Sequence, residues 1–440
     1  KYMNIRKTLI LSGIFSVAIA GFSFAETILT VEKVRQLALK NNRQLLSARK
    51  ELDRSQAEII SARSGALPQL SLDGRYTRNL TTRKFFFGDE VIPISKNNEF
   101  DLSLSLTQPL YIGGKVGSAL KIAKIYREFS SEKVKEVERE IVYNAEAIFY
   151  GAILAESNLD VIKKAEQQLS YNLEIAEKYF SQGMISEYEL LRARVEKLNI
   201  EPQLIFAESK VSLSRKRLKS FLGLSLEEKI ALVTDLTDTA SVSLPKLDTL
   251  ITLAVTGRPE IKQANLQKRG YEKAVRIARG NWLYPNIYAN ATYQIGGSSN
   301  DREFRSNEKS DSWTASLLLN IPIFDGARTI GEVRKAKVDY YQAILAEQQL
   351  LDDIRLEVEQ AYDNLFQTRK ALEMQTETIA QAEEGKRIAD LRYESGVGTQ
   401  LEVLSAQSAL TQARTQFIQT MHSYRLAKAA LKKATGYNFD

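Results

Sequence analysis

The chain has 440 residues, with 61 Lys and Arg against 54 Asp and Glu, no cysteine and one histidine, His422. Those counts exclude disulfides, thiol catalysis and Cys/His zinc sites. A net charge of +7 with no concentrated basic block gives no nucleic-acid footprint.

Taken in order, the chain opens on an address. Met3 to Lys7 is short and basic, Leu9 to Phe22 is apolar, and Ser23-Phe24-Ala25 ends in a small-x-small cleavage pattern. Residues 1–25 therefore read as a secretory signal peptide; the alternative, an N-terminal membrane anchor, has too short an apolar run to span comfortably. Lys1 and Tyr2 precede Met3 and have no place in this pattern, and the lack of a cysteine after Ala25 leaves no site for a lipid anchor. Beyond the leader no apolar stretch reaches the ~18 residues of a transmembrane helix, so any membrane crossing must be made by strands in a closed barrel.

Next, residues 31–64 carry good helix formers and no proline, which predicts a helix that Pro68 terminates. Strands follow at about 69–78 and 99–107, joined by a loop of about twenty residues read as polar. Leu70, Leu72 and Tyr76 alternate with Ser71, Asp73, Arg75 and Thr77, and Phe100, Leu102, Leu104 and Leu106 alternate with Asp101, Ser103, Ser105 and Thr107. Pro109 to Gly114 reads as a joint between the second strand and a helix over 115–181. Val134, Ile141, Ile148, Ala155, Ile162, Leu169 and Ala176 recur there every seven residues, the mark of supercoiled helices. At ~1.5 Å per residue this helix is roughly 100 Å long, too long for a compact domain. A further helix is expected over 187–220, bent by Pro202, and residues 221–242 read as a bridging side structure.

The second half repeats the first. Phe100 and Trp313, Pro109 and Pro322, Gly113 and Gly326, Gly183 and Gly396, and Gly223 and Gly436 are all 213 residues apart, while the upstream pairs around Pro68 and Pro285 are offset by 216 to 217. The chain thus divides into a repeat over 26–242 and another over 243–440, with helices at about 247–280, 327–394 and 400–435 and strands at about 286–295 and 312–320. Ile344, Leu351, Val358, Leu365, Leu372 and Ile379 carry the second seven-residue stripe. The strand lengths suit tilted membrane strands, and the only tryptophans, Trp282 and Trp313, flank them as interface aromatics would. Four strands cannot close a barrel, since bacterial barrels begin at eight; three chains would supply twelve.

In order, duplication and spacing, these residues resemble the TolC-like outer-membrane efflux proteins over essentially the whole mature chain. The resemblance rests on the proline-bounded strands, the joints around Pro68, Pro109, Gly113, Pro285, Pro322 and Gly326, and the turns Phe180-Ser181-Gln182-Gly183-Met184-Ile185-Ser186 and Tyr393-Glu394-Ser395-Gly396-Val397-Gly398-Thr399. It implies a mainly α fold with transmembrane β: a trimer sharing a 12-stranded β-barrel continuous with a periplasmic α-barrel of coiled-coil helices. It implies an outer-membrane location, a periplasmic adaptor and an inner-membrane transporter as partners, and no cofactor. It also implies adaptor contacts at Gly183, Ser186, Gly396 and Thr399, of which the glycines suit left-handed helix ends and Ser186 and Thr399 suit N-caps. Glu402 maps to the first acidic position of the family's periplasmic constriction, with Glu189 as its counterpart in the first repeat. The second acidic position falls on Ser405, and on Arg192 in the first repeat. Tyr393 matches a gate-linking tyrosine, but the arginine expected five residues on is Gly398.

The function expected is a passive export duct of a tripartite pump or type I secretion system. A periplasmic coiled-coil adaptor without a barrel is the alternative; the leader and heptads suit it and the four strands do not. No phosphate-binding or nucleophile motif is present, so an enzyme is not expected. The cargo is not encoded in any motif.

Overall fold

The computed structural model describes residues 27–234, 245–301 and 309–437. The leader, part of the bridging segment and most of the second interstrand loop lie outside these residues, as does the side chain of Trp282. Each half begins with a stacked helix pair. α1 (Val31–Asn41) and α2 (Arg43–Ser64) take the place of the single helix expected over 31–64, and α5 (Leu247–Gly257) and α6 (Pro259–Leu283) that expected over 247–280. Asn42 makes the first break: its extended backbone ends α1 while its side chain accepts from the Gln44 amide and caps α2. Pro259 makes the second, sitting at the start of α6 where its missing N–H costs nothing.

From the first pair the chain enters β2 (Gln69–Arg78), turns through the short strands β3 (Lys84–Phe87) and β4 (Glu90–Pro93), and returns along β5 (Asn98–Ile112). α3 (Lys115–Ser181) follows, then a turn and α4 (Glu187–Leu222). The second half runs β7 (Asn286–Ser299), β8 (Lys309–Asn320), α7 (Arg328–Glu394) and α8 (Gln400–Thr435). α3 and α7 are both 67 residues long, and α4 and α8 both 36. α4 continues through Pro202. The segment after α4 contributes β6 (Ile230–Leu232), which pairs in parallel with β1 (Thr27–Leu29), a short strand before α1 that the sequence pattern does not announce.

β5 overruns its expected end. It stays paired with β7 through Pro109, with an irregularity between Pro109 and Tyr111, whereas β2 reaches only Thr107. Pro109 therefore sits beside a bulge where one flank carries no partner, a position that needs no ladder N–H. The joint proper is Gly113-Gly114, both at positive φ (63° and 69°). Its counterpart is Gly326-Ala327, and Ala327 is the only described non-glycine residue with positive φ, at 68°. Gly113 also meets the other half of the chain: a Cβ on it would lie 2.9 Å from the Gly280 carbonyl oxygen and 3.3 Å from the Tyr284 Cβ.

The four long strands form one antiparallel sheet in the order β2-β5-β7-β8. Register places Leu72, Leu104, Tyr293 and Trp313 side by side, and likewise Leu70, Leu106, Ala291 and Ala315. One face is thus apolar across all four strands, with Ser, Thr, Asp and Asn on much of the other. That apolar face is uncovered: Leu72 is 66% exposed and Trp313 74%. β2 and β8 are open edges of the sheet.

Two apolar cores sit along the rods. Val34, Ala38, Ile141, Ala145, Phe149 and Leu218 form one, and Leu250, Ala254, Ile354, Val358, Leu365 and Leu431 the other. The break between stacked helices is tied to the end of the returning helix in each: Asn42 donates to the Phe221 carbonyl, and Arg258 donates to the Ala434 carbonyl, 213 positions on from Phe221. Arg258 is itself buried, donates to Glu260 at 2.7 Å and pairs with Glu357. Burial opposes the charge on both Arg258 and Glu260, yet the bonds between them prevail, raising the guanidinium's pKa and lowering the carboxyl's.

Candidate functional site: the helical tips and the strand–helix joints

The turns at the helical end are built from glycine and caps. Gly183 has φ 73°; its amide donates to the Phe180 carbonyl and the Met184 amide to the Tyr179 carbonyl, both at 2.9 Å. Gly396 has φ 75°, and the Val397 and Gly398 amides both donate to the Arg392 carbonyl. Gly398, which stands where the resemblance implies an arginine, has a steric reason to be glycine: a Cβ would lie 2.8 Å from the Arg392 Cβ and 2.9 Å from its carbonyl carbon.

Ser186 and Thr399 are N-caps, each accepting at 3.3 Å from the amide three residues on, of Glu189 and Glu402. The two acidic candidates then diverge. Glu189 closes a capping box, accepting from the Ser186 amide at 2.9 Å. Glu402 turns across the tip and accepts from Arg392 Nε at 3.1 Å. Arg392 stands where the first repeat has Tyr179, so only the second tip has this cation. The pair links residues ten apart through a turn, a spacing with no signature in sequence. Both of its side chains are about half exposed.

Tyr393 lies behind this pair. Its ring packs 6.1 Å from that of Tyr179, and its hydroxyl is buried without a hydrogen-bond partner among the described residues. Burial, with Tyr179 and Glu189 adding to it, raises its pKa above the ordinary tyrosine value. Tyr393, Asn172, Gln168 and Gln400 line a small cavity between α3 and the α7–α8 turn. Ser405 is exposed on α8 and Arg192 half-buried on α4; neither stands in for a second acid. At the far end of the rods, Pro68 and Pro285 precede β2 and β7 directly, while Pro322 and Gly326 lie between β8 and α7. No group of acidic or histidine side chains that could hold a metal exists among the described residues.

Long antiparallel rods that end in an uncovered, lipid-type sheet define a class: an outer-membrane channel protein of mixed helical and strand architecture. The chain belongs to the outer membrane efflux protein family, whose family model matches residues 34–224 and 250–437. It is similar to the outer membrane protein TolC of Vibrio cholerae, 20% identical over 96% of this chain and 94% of that one. It is also similar to the cobalt-zinc-cadmium resistance protein CzcC of Cupriavidus metallidurans, 21% identical over 93% of this chain and 90% of that one. Among solved structures, the CmeC outer membrane channel of Campylobacter jejuni superposes with a TM-score of 0.78 over 99% of this chain and 94% of that one, at 19% identity.

Proposed function

We propose that three copies of this chain close into a duct through which an inner-membrane transporter, coupled by a periplasmic adaptor, exports its cargo across the outer membrane. The observation that carries this is the four-stranded sheet with a continuous apolar face and open edges at β2 and β8. Lipid satisfies no unpaired backbone group, so both edges must be closed by other chains. The sheet's two edges differ, which makes the contact head-to-tail: β8 of one copy meets β2 of the next, and the ring closes at twelve strands for three copies.

The rods carry the same incompleteness. Tyr188, Leu191, Val195 and Leu198 recur every three or four residues on α4 and stand exposed in the single chain; Val338, Tyr341 and Leu345 do so on α7. A neighbouring copy that paired with β2 would bring its α7 beside α2 and α4 and cover such stripes. The duct acts as a passive conduit, with its driving force supplied by the transporter. The tips around Gly183, Ser186, Gly396 and Thr399 are the adaptor-facing surface, and Glu402, Glu189, Tyr393, Ser405 and Arg192 surround the inner mouth.

Reconstitution into planar bilayers tests this reading. Discrete, long-lived ionic steps from the purified chain are expected, along with recovery in the detergent-extracted outer-membrane fraction. Recovery in the detergent-free soluble periplasm with no conductance would instead favour an adaptor-type coiled coil.

A further inference from the structure

The connection between β2 and β5 is not the polar loop its length suggests. Lys84-Phe85-Phe86-Phe87 pairs with Glu90 to Pro93 around a Gly88-Asp89 turn in a two-stranded hairpin of its own. Asn79 anchors its base by donating to the Lys96 carbonyl and to Glu99, and the Arg83 amide donates to Ser95 Oγ at 2.7 Å. Phe85 and Phe87 share one face with Ile92, and Phe86 points to the other. All are exposed, Phe86 by 70% and Phe87 by 72%. A lone two-stranded hairpin is marginally stable in water, and one with aromatics on both faces needs a partner on each.

We propose that the β3–β4 hairpins of the assembled copies fold over the outer mouth of the duct and pack on one another, Phe86 of each against the Phe85–Ile92 face of the next, as an apolar cap. The proposal rests on the ring of three copies inferred above. Four observations favour other copies of this chain over lipid as the occupant. The hairpin grows directly out of β2, the edge strand that the next copy must pair, at the end of the sheet remote from the helices. Its reach is sufficient: the four residues of β3, Lys84 to Phe87, at ~3.3 Å each extend roughly 13 Å beyond the segment 79–83, whereas twelve strands ~4.8 Å apart and tilted ~40° enclose a radius of only roughly 12 Å. A head-to-tail ring offers each hairpin two neighbours, one per apolar face. Finally, the tip carries Asp89 and Glu90, which hydrocarbon would exclude and an outward-facing crown of a cap leaves in water. The corresponding loop of the second repeat, residues 301–309, reads Asp-Arg-Glu-Phe-Arg-Ser-Asn-Glu-Lys and has no such aromatic run, so a ring would carry three apolar hairpins.

Because the chain has no cysteine, cross-linking is clean. Phe86→Cys and Ile92→Cys lie on opposite faces of one hairpin and cannot join within a chain. The double variant, oxidised in the outer membrane, is expected to give a covalent trimer, whereas either single variant, whose thiol faces the unmutated position of its neighbour, is expected to stay uncross-linked. Phe85→Ser/Phe86→Ser/Phe87→Ser is expected to raise single-channel conductance several-fold with the mass of the oligomer unchanged. A trimer by mass that yields no covalent trimer and no change in conductance overturns the cap. So does quenching of a bimane label on Phe86→Cys by brominated lipid, which would place the hairpin in the bilayer. A chain that is monomeric in detergent fails at the duct itself, a result distinct from either.

Discussion

Replacing Gly113 by alanine tests how strand becomes rod. Two penalties meet there. An L-residue at φ 63° costs about 1–2 kcal/mol. The new methyl would also lie 2.9 Å from the Gly280 carbonyl oxygen and 3.3 Å from the Tyr284 Cβ. The first of these is backbone, which cannot swing aside, and overpacking of this kind costs about 1–3 kcal/mol more. Gly326, its counterpart in the second half, has φ 69° but no atom within 4 Å of a built Cβ, so Gly326→Ala carries the conformational penalty alone. Gly280→Ala isolates the other penalty: alanine favours the helix by about 1 kcal/mol, but its Cβ would sit 2.9 Å from the Gly113 carbonyl oxygen. Measured as the midpoint of thermal dissociation of the detergent-solubilised protein, Gly113→Ala should fall lowest. Gly326→Ala should fall about half as far, and Gly280→Ala should lower the midpoint despite its better helix propensity. Equal losses for Gly113→Ala and Gly326→Ala, or a gain for Gly280→Ala, would refute the close approach at the joint.

Further outcomes follow from single residues. Ala327→Gly relieves the one described non-glycine residue in the left-handed region, a stabilisation of about 1 kcal/mol that should raise the same midpoint. Arg258→Met leaves Glu260 only its longer pair with Arg139, at 4.0 Å, and removes a donor from the Ala434 carbonyl, and a loss toward the lower end of about 3–5 kcal/mol is expected; Arg258→Lys should recover part of it. If Glu402 lines the inner mouth as proposed, Glu402→Gln releases Arg392 and reversal potentials in a salt gradient should move toward anion preference. Adding Arg392→Gln should bring them back; unchanged selectivity in both variants would remove Glu402 from the mouth. His422 is half-buried on α8, and burial lowers its pKa below 6.5. The folded chain therefore binds its proton less readily than the unfolded chain, and this contribution to stability is lost as pH falls below about 6.5. His422→Gln should flatten that part of the pH profile of the dissociation midpoint.

The rods were legible because their signals are local and redundant: proline-free seven-residue stripes, glycine at the left-handed turns, and Ser186 and Thr399 where caps belong. Ile141, Ala155, Val358 and Leu365 of those stripes are all buried. The sheet was legible from alternation, and register adds what alternation cannot supply, namely that the apolar positions of four strands fall on one face. Other features escaped for physical reasons. Asn42 breaks a helix by capping the next one, so composition around it stays helical. β1 and β6 are three residues each and depend on pairing across about 200 positions. The aromatic hairpin lies inside a segment expected to be a polar loop, because four-residue strands paired only with each other carry too short an alternation to stand out. The Glu402–Arg392 pair exists only once the turn through Gly396 and Gly398 has brought two helices together, and it changes Glu402 from an isolated acid into half of an ion pair.

The central claim is that this chain is a fraction of a closed structure. The mass of the detergent-solubilised protein, determined by light scattering with the detergent contribution subtracted, tests it most directly. Three copies per particle are expected, at every protein concentration that leaves the detergent in excess. A stable, folded monomer, with β2 and β8 both unpaired in lipid-like surroundings, would contradict it.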